Sequence, residues 1–192
     1  MNFTTSGPPV VEPTGYPADL ERTWTASDGA RATLRALRPD DLDREIAFAA
    51  GLSEETLHLR LQYRSKGITR EDAARLLELD YVDTLAIGAF VDPPAGGRIV
   101  GVSRYAREPG TDRAECAIVV ADDWQGRGLG TELMRSLGTA ARVRGIRSLE
   151  ASSLAENRRI QDWAQRFGCE VSTEPHSGGL LRVTIDLSSF PS

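Results

Sequence analysis

The segment from Glu115 to Gly145 constrains this chain more than any other. An apolar run, Cys116-Ala117-Ile118-Val119-Val120, is followed by a short loop and then by Gln125-Gly126-Arg127-Gly128-Leu129-Gly130. Behind the glycines, Leu129, Leu133, Leu137 and Ala141 recur every fourth residue, with Met134 and Ala140 beside them, which predicts a helix over about 128–144. Gly145 stands where a C-terminal cap belongs. The expected unit is a strand, a glycine-rich turn and a helix. Unpaired amides and the helix dipole make such a turn suited to a phosphate or pyrophosphate, and glycines let the backbone approach it closely.

Three uses of such a turn compete. A P-loop ends in Gly-Lys-Ser/Thr, whereas Gly130 is followed by Thr131. A dinucleotide fold would place an acid near Glu150, but the loop from Val120 to Gly126 is too long for its tight turn. The glycine spacing also differs, and little chain follows for the rest of a parallel sheet.

Around this unit the chain alternates helices and strands. Residues 1–21 hold Pro8, Pro9, Pro13 and Pro17 with few apolar groups, and a disordered tail is expected there, with one domain over 22–192. Two short strands are expected between Thr23 and Leu37 around Ser27-Asp28-Gly29. Helices follow at about 40–50, 53–61 and 70–79, opened by Asp40, Ser53 and Thr69. Strands Thr84–Val91, Ile99–Ala106 and Arg113–Val120 are separated by Asp92 to Gly97 and by Glu108 to Asp112, the pattern of an antiparallel meander. After the glycine-led helix come a strand at Ser148–Ser152, a helix at Ala155–Phe167, and strands at Cys169–Thr173 and Leu180–Leu187 around His176 to Gly179.

Composition removes several function classes. Cys116 and Cys169 give neither a disulfide framework nor metal-ligand spacing, and His58 and His176 do not cluster. A formal net charge of −5 argues against nucleic-acid binding; it suits solubility and is compatible with a basic substrate. No apolar run reaches the roughly 20 residues of a membrane span, so a cytoplasmic location is expected.

The hexapeptide Gln125-Gly126-Arg127-Gly128-Leu129-Gly130 resembles the Q/R-x-x-G-x-G/A signature of the GNAT acetyltransferases. The order of elements from Thr23 to Leu187 matches that family too, including Asn157 at the next helix and Gly168 eleven residues later. Tyr16-Pro17, Leu37-Arg38-Pro39-Asp40-Asp41, Gly51-Leu52-Ser53, Leu79-Asp80-Tyr81 and Ala114-Glu115 further resemble the acetyltransferase domain of bacterial Pat-type protein lysine acetyltransferases. The resemblance implies an α/β (α+β) GNAT fold, with a mixed, mostly antiparallel sheet of about seven strands flanked by helices. It implies acetyl-CoA as co-substrate and a primary amine as acceptor. A protein lysine is the expected amine; a small-molecule amine is the alternative. A non-catalytic acyl-CoA-binding module is the rival of a different class.

The resemblance also implies roles. Gln125, Gly126, Arg127, Gly128, Leu129 and Gly130 would hold the pyrophosphate, with Arg127 either on a phosphate or in solvent. Backbone groups of Ile118, Val119 and Val120 would bond the pantetheine arm, with the Val120 amide on the thioester carbonyl. Glu115 would be the base that an amine of pKa about 10.4 requires before it can attack, or else a strand-edge carboxylate paired with Arg113. Asn157 would contact the pantetheine region or cap its own helix. Ala164 stands where many members carry the tyrosine that protonates the thiolate, so no general acid is assigned. Trp163 and Trp124 are expected to pack, and both cysteines to be buried rather than acylated.

Overall fold

In the computed structural model, residues 13–62, 67–91, 97–173 and 179–191 are described. Strand β1 (Arg22–Thr25) and β2 (Arg31–Ala36) form the expected hairpin. Helices α1 (Leu42–Ala50), α2 (Glu54–Leu61) and α3 (Arg70–Arg75) follow, then strands β3 (Thr84–Val91), β4 (Arg98–Arg107) and β5 (Arg113–Val120). Helix α4 (Leu129–Val143), strand β6 (Ser148–Leu154), helix α5 (Arg158–Arg166), and strands β7 (Glu170–Thr173) and β8 (Leu180–Asp186) complete the order. The eight strands form one sheet, β1-β2-β3-β4-β5-β6-β8-β7, slightly more than the expected seven. All neighbours are antiparallel except β5 and β6.

The apolar stripe read at every fourth residue is the buried face of α4: Leu129, Leu133, Leu137 and Ala141 are at most 1% exposed. They lie against one face of the sheet centre, and the approach is close. A Cβ on Gly101 would stand 2.8 Å from Leu133 Cδ1 and 3.3 Å from Leu129 Cδ2, so glycine gives the leucines of α4 a close seat on β4. Ser103 on the same face donates its hydroxyl to the Leu133 carbonyl, 3.2 Å away.

The opposite face carries α1 to α3. Helix α2 opens at Ser53, whose Oγ accepts from the Thr56 amide, and α3 opens at a reciprocal Thr69–Asp72 capping box. The third helix is shorter than expected. It stops at Arg75, where the Leu76 carbonyl accepts from the Arg104 guanidinium rather than extending a helical ladder, and Leu77 turns inward. Helix α5 likewise begins only at Arg158, because Asn157 is its cap.

Of the tail expected over 1–21, residues 1–12 lie outside the described residues. Within 13–21, Tyr16 packs edge-on against Tyr81 and donates to the Ala36 carbonyl, and Ala18–Leu20 form a 3-10 turn. The turns expected at Asp92 to Gly97 and His176 to Gly179 fall mostly outside the described residues, and His176 with them.

Candidate active site

Parallel strands β5 and β6 pair for only three positions, Arg113 with Ser148, Ala114 with Leu149 and Glu115 with Glu150. Beyond Glu115 the two strands diverge, although each continues in the sheet, β5 on β4 and β6 on β8. The result is a fork in the sheet, and Glu115 is the last paired residue before it opens.

The register fixes which backbone groups the fork exposes. Val119 pairs with Val102 and Ala117 with Arg104, and the Ala121 amide donates to the Val100 carbonyl at 2.9 Å. Odd-numbered residues of β5 therefore spend their amides on β4. By alternation the even-numbered amides point toward β6: that of Cys116 closes the last β5–β6 bridge, at Glu115 and Glu150, and those of Ile118 and Val120 point into the fork. Ile118 and Val120 thus present main-chain donors there, whereas Val119 contributes only its side chain to the opposite face.

The glycine-rich loop lies at the far end of β5. A 3-10 turn at Asp122–Trp124 precedes it, and Trp124 is 8% exposed, a brace under the loop. Gly126 and Gly128 adopt φ of +76° and +89°, a backbone that side-chain-bearing residues rarely take. Gly128 is the N-cap of α4 and offers no capping side chain, so the first amides of the helix remain available. Gly130 presses against the strand: its Cβ would contact Ile118 Cδ1 and Val120 Cγ2 at 3.6 and 3.7 Å. Gln125 donates to the Val120 carbonyl at 3.1 Å and to Thr56 Oγ1 at 3.2 Å, and accepts from Arg159. It ties the loop to the strand end and to α2.

Arg127 pairs with Asp28 of the β1–β2 turn at 2.6 Å and lies 5.1 Å from the Trp124 ring centroid. Asn157 caps α5, accepting from the Ile160 amide at 3.3 Å. Trp163 packs on Phe167 and Phe190 and donates to Thr131 Oγ1, and Ala164 is fully buried. Burial pushes the Cys116 thiol up to about 12, which removes the thiolate an acetyl-enzyme would need.

Sequence reading did not single out the side chains that face Glu115. Glu115, Ala117 and Val119 share the α1–α3 face with Arg104 and Val102, and a cavity of about 240 Å³ opens there. Glu115, Arg60, Arg75, Arg104, Glu78 and Ala117 are among its lining residues. Arg104 pairs with the buried Glu45 and bonds the Leu76 carbonyl. Arg75 pairs with Glu71 at 2.6 Å. Arg60 makes no ion pair or hydrogen bond among the described residues; desolvation first, and then the charge of Arg104, press its pKa downward against the pull of Glu115 and Glu45. A guanidinium does not lose its proton at any ordinary pH, so Arg60 stays a partly desolvated cation beside Glu115. One signal was legible: Arg104 is a charge in the otherwise buried run from Ile99 to Tyr105. Arg60 carried none.

Helix α2 spans the fork. Asp122 accepts from Ser53 N and Oγ and from Thr56 Oγ1, His58 Nε2 meets Glu156 at 2.9 Å, and Gln62 donates to the Ser152 carbonyl at 2.8 Å. A strand edge freed inside a sheet, glycines and helix amides at its end, and a carboxylate at the branch form one connected site. A profile of the acetyltransferase (GNAT) family matches residues 53–169, from the cap of α2 to just past α5. The chain belongs to this acetyltransferase family.

Relatives agree. An acetyltransferase from Pseudomonas aeruginosa is 35% identical over 154 residues, covering 79% of this chain and 83% of the relative. The acetyltransferase Pat of Mycolicibacterium smegmatis is 33% identical over 136 residues, covering 70% of this chain but 40% of the relative, so this acetyltransferase spans under half of that protein. Among solved structures, the GNAT domain of S. lividans PAT superposes with a TM-score of 0.81 at 28% identity, over 89% of this chain and 99% of that one. An acetyltransferase of Salmonella typhimurium, solved with acetyl-CoA, shares the fold at a TM-score of 0.64 and 18% identity, over 85% and 98%. No helix among the described residues is long and apolar enough to cross a membrane.

Proposed function

We propose that this chain transfers an acetyl group from acetyl-CoA to a primary amine, a protein lysine in the first instance, within one ternary complex and with Glu115 as the base. The observation that carries the reading is the position of Glu115 at the branch of β5 and β6, exposed and on the face of the acceptor cavity. The fork suits an extended arm that bonds the Ile118 and Val120 main chain as a strand would. The amides at Gly126 to Gly130 suit its pyrophosphate. Acetyl-CoA in the Salmonella structure supports this choice of donor, and the likeness to the Pat relatives supports lysine as acceptor.

The chemistry then follows from charge. The ammonium gives a proton to Glu115, directly or through a water, and the freed nitrogen lone pair attacks the thioester carbonyl carbon. As the carbon–nitrogen bond forms, the carbonyl oxygen gains negative charge opposite the Val120 amide. Collapse breaks the carbon–sulfur bond, the new amide nitrogen gives its second proton to solvent, and the thiolate leaves to be protonated by water, because Ala164 offers no acid and the Tyr105 hydroxyl, pushed up to about 12 by burial, is committed to the Val82 carbonyl. Arg60 and Arg104 beside Glu115 favour loss of charge by the incoming ammonium. We place this activity in the cytoplasm and in a single domain over residues 22–192.

The test is acetyl-lysine mass spectrometry on a cell lysate incubated with acetyl-CoA and either the protein or its Glu115→Gln variant. New acetyl-lysines that require Glu115 are expected. Equal spectra in both samples would move the acceptor to a small amine, or the chain to a silent acyl-CoA-binding module, a role the alanine at position 164 would suit.

A further inference from the structure

The acceptor cavity holds one cation without an anion. Three arginines line it, and two are answered: Arg104 by Glu45, Arg75 by Glu71. Arg60, half-buried at the last turn of α2, reaches the same cavity as Glu115 yet makes no ion pair or hydrogen bond with it or with any other described residue. The remaining carboxylate on the lining, Glu78, does not meet it either. A cation on one wall and a carboxylate at the fork therefore face a shared space of about 240 Å³. Ala117, small and between Arg104 and Glu115 on that face, keeps the floor open.

We infer that Arg60 anchors a carboxylate carried by the acceptor close to its reacting amine, so that the preferred acceptor is an amine with an acidic neighbour. The inference rests on the reading of Glu115 as the group that receives the amine. The geometry divides the labour. The carboxylate is held by the planar fork of Arg60, and the ammonium is drawn to Glu115. Binding the acid also gives Arg60 a direct partner beside the neighbouring charge of Arg104, which Glu45 already pairs. An uncharged amine would leave a partly desolvated guanidinium unsatisfied, and this penalises it relative to an acidic analogue. The same chemistry has two sources: an acidic residue flanking a lysine, or the carboxyl of a small amino acid.

Calorimetric titration of the coenzyme A-loaded protein with matched pairs separates them. One pair is a lysine hexapeptide flanked by glutamates against the same peptide flanked by glutamines; the other is γ-aminobutyrate against butylamine. In at least one pair the acidic member is expected to bind about 10- to 100-fold tighter, the range of a charge-assisted hydrogen-bonded pair. Arg60→Gln should reduce that ratio to near unity and Arg60→Lys should keep part of it, with coenzyme A affinity and melting temperature unchanged in both. A preference in the peptide pair alone identifies a lysine in an acidic stretch, and in the aminobutyrate pair alone a small amino acid. Parity or no detectable binding in both pairs, or a preference that survives Arg60→Gln, overturns the inference. An Arg60-dependent preference alongside undiminished coenzyme A release by Glu115→Gln would instead overturn the role of Glu115 and leave that of Arg60 standing.

Discussion

Two charged clusters lie on the same side of the sheet and are built to opposite rules. At the corner where β2 runs into α1, Asp41 is fully buried and completely answered: Arg35 grips it with two bonds of 2.7 Å, Arg44 reaches it at 3.0 Å, and the Arg38 amide donates to it at 3.0 Å. Burial alone would raise the Asp41 carboxyl; the bonds and charge of Arg35 outweigh it and hold the pKa below the usual range. At the fork, Arg60 is unanswered, the Glu45 Oε2 atom is buried without a hydrogen bond, and Glu115 stands open. The first cluster fixes where α1 leaves the sheet. The second is left incomplete at the cavity where the proposed acceptor would enter. Similar residues serve as structure or as site according to whether the fold itself supplies the counter-charges.

The sharpest way to break this contrast is to exchange the effects. Glu115→Gln is expected to lower turnover by about 10²- to 10⁴-fold, the range of a lost general base, while urea unfolding stays within about 0.5 kcal/mol of the parent, as for an exposed side chain. Comparable turnover in the variant would remove Glu115 from the chemistry. Asp41→Ala should do the reverse. Removing one partner of a buried pair costs about 3–5 kcal/mol, and the loss should appear in urea unfolding with transfer per folded molecule preserved. An unchanged midpoint would mean that the corner is not the anchor its geometry describes.

Acid titration refines the same comparison. With a folded pKa below that of the unfolded chain, Asp41 contributes stability that is complete above about pH 4 and is lost as pH falls through its lowered value. The stability gap between the parent and Asp41→Asn should therefore narrow as pH drops below about 4. A gap that holds constant across that range would contradict the depressed value. The smallest effect is expected at the other anchor of α2. Ser53→Ala removes a helix cap together with the bond to Asp122, and should cost about 1 kcal/mol by thermal unfolding. No measurable change would show that α2 is held across the fork by Thr56 and Gln62 instead.

Much of the fold was legible because its signals are local. The stripe of α4, the glycine at its start, and the alternation of β5 are periodic patterns whose physics does not depend on distant chain. That is why the strand, loop and helix fell where the sequence put them. The length of α3 was not legible, because it ends where a guanidinium 28 residues away, on β4, takes its Leu76 carbonyl. Arg127 shows the same limit. Its neighbours name a phosphate loop, yet its partner in this structure is Asp28, 99 residues earlier. The cavity beside Glu115 is the extreme case, since Arg60, Arg104 and Glu115 come from three separate elements, brought together by the register of β4 with β5 and by the seat of α2 over them.

The divergence of β5 from β6 has a consequence for how the free protein breathes. Amide protons in the middle of a sheet ordinarily resist exchange with solvent, yet along β5 beyond Cys116 every second one lacks a partner strand. Hydrogen exchange should read a two-residue rhythm, with Ala117 and Val119 protected and Ile118 and Val120 quick to label, and an arm lying in the fork would silence the quick ones first.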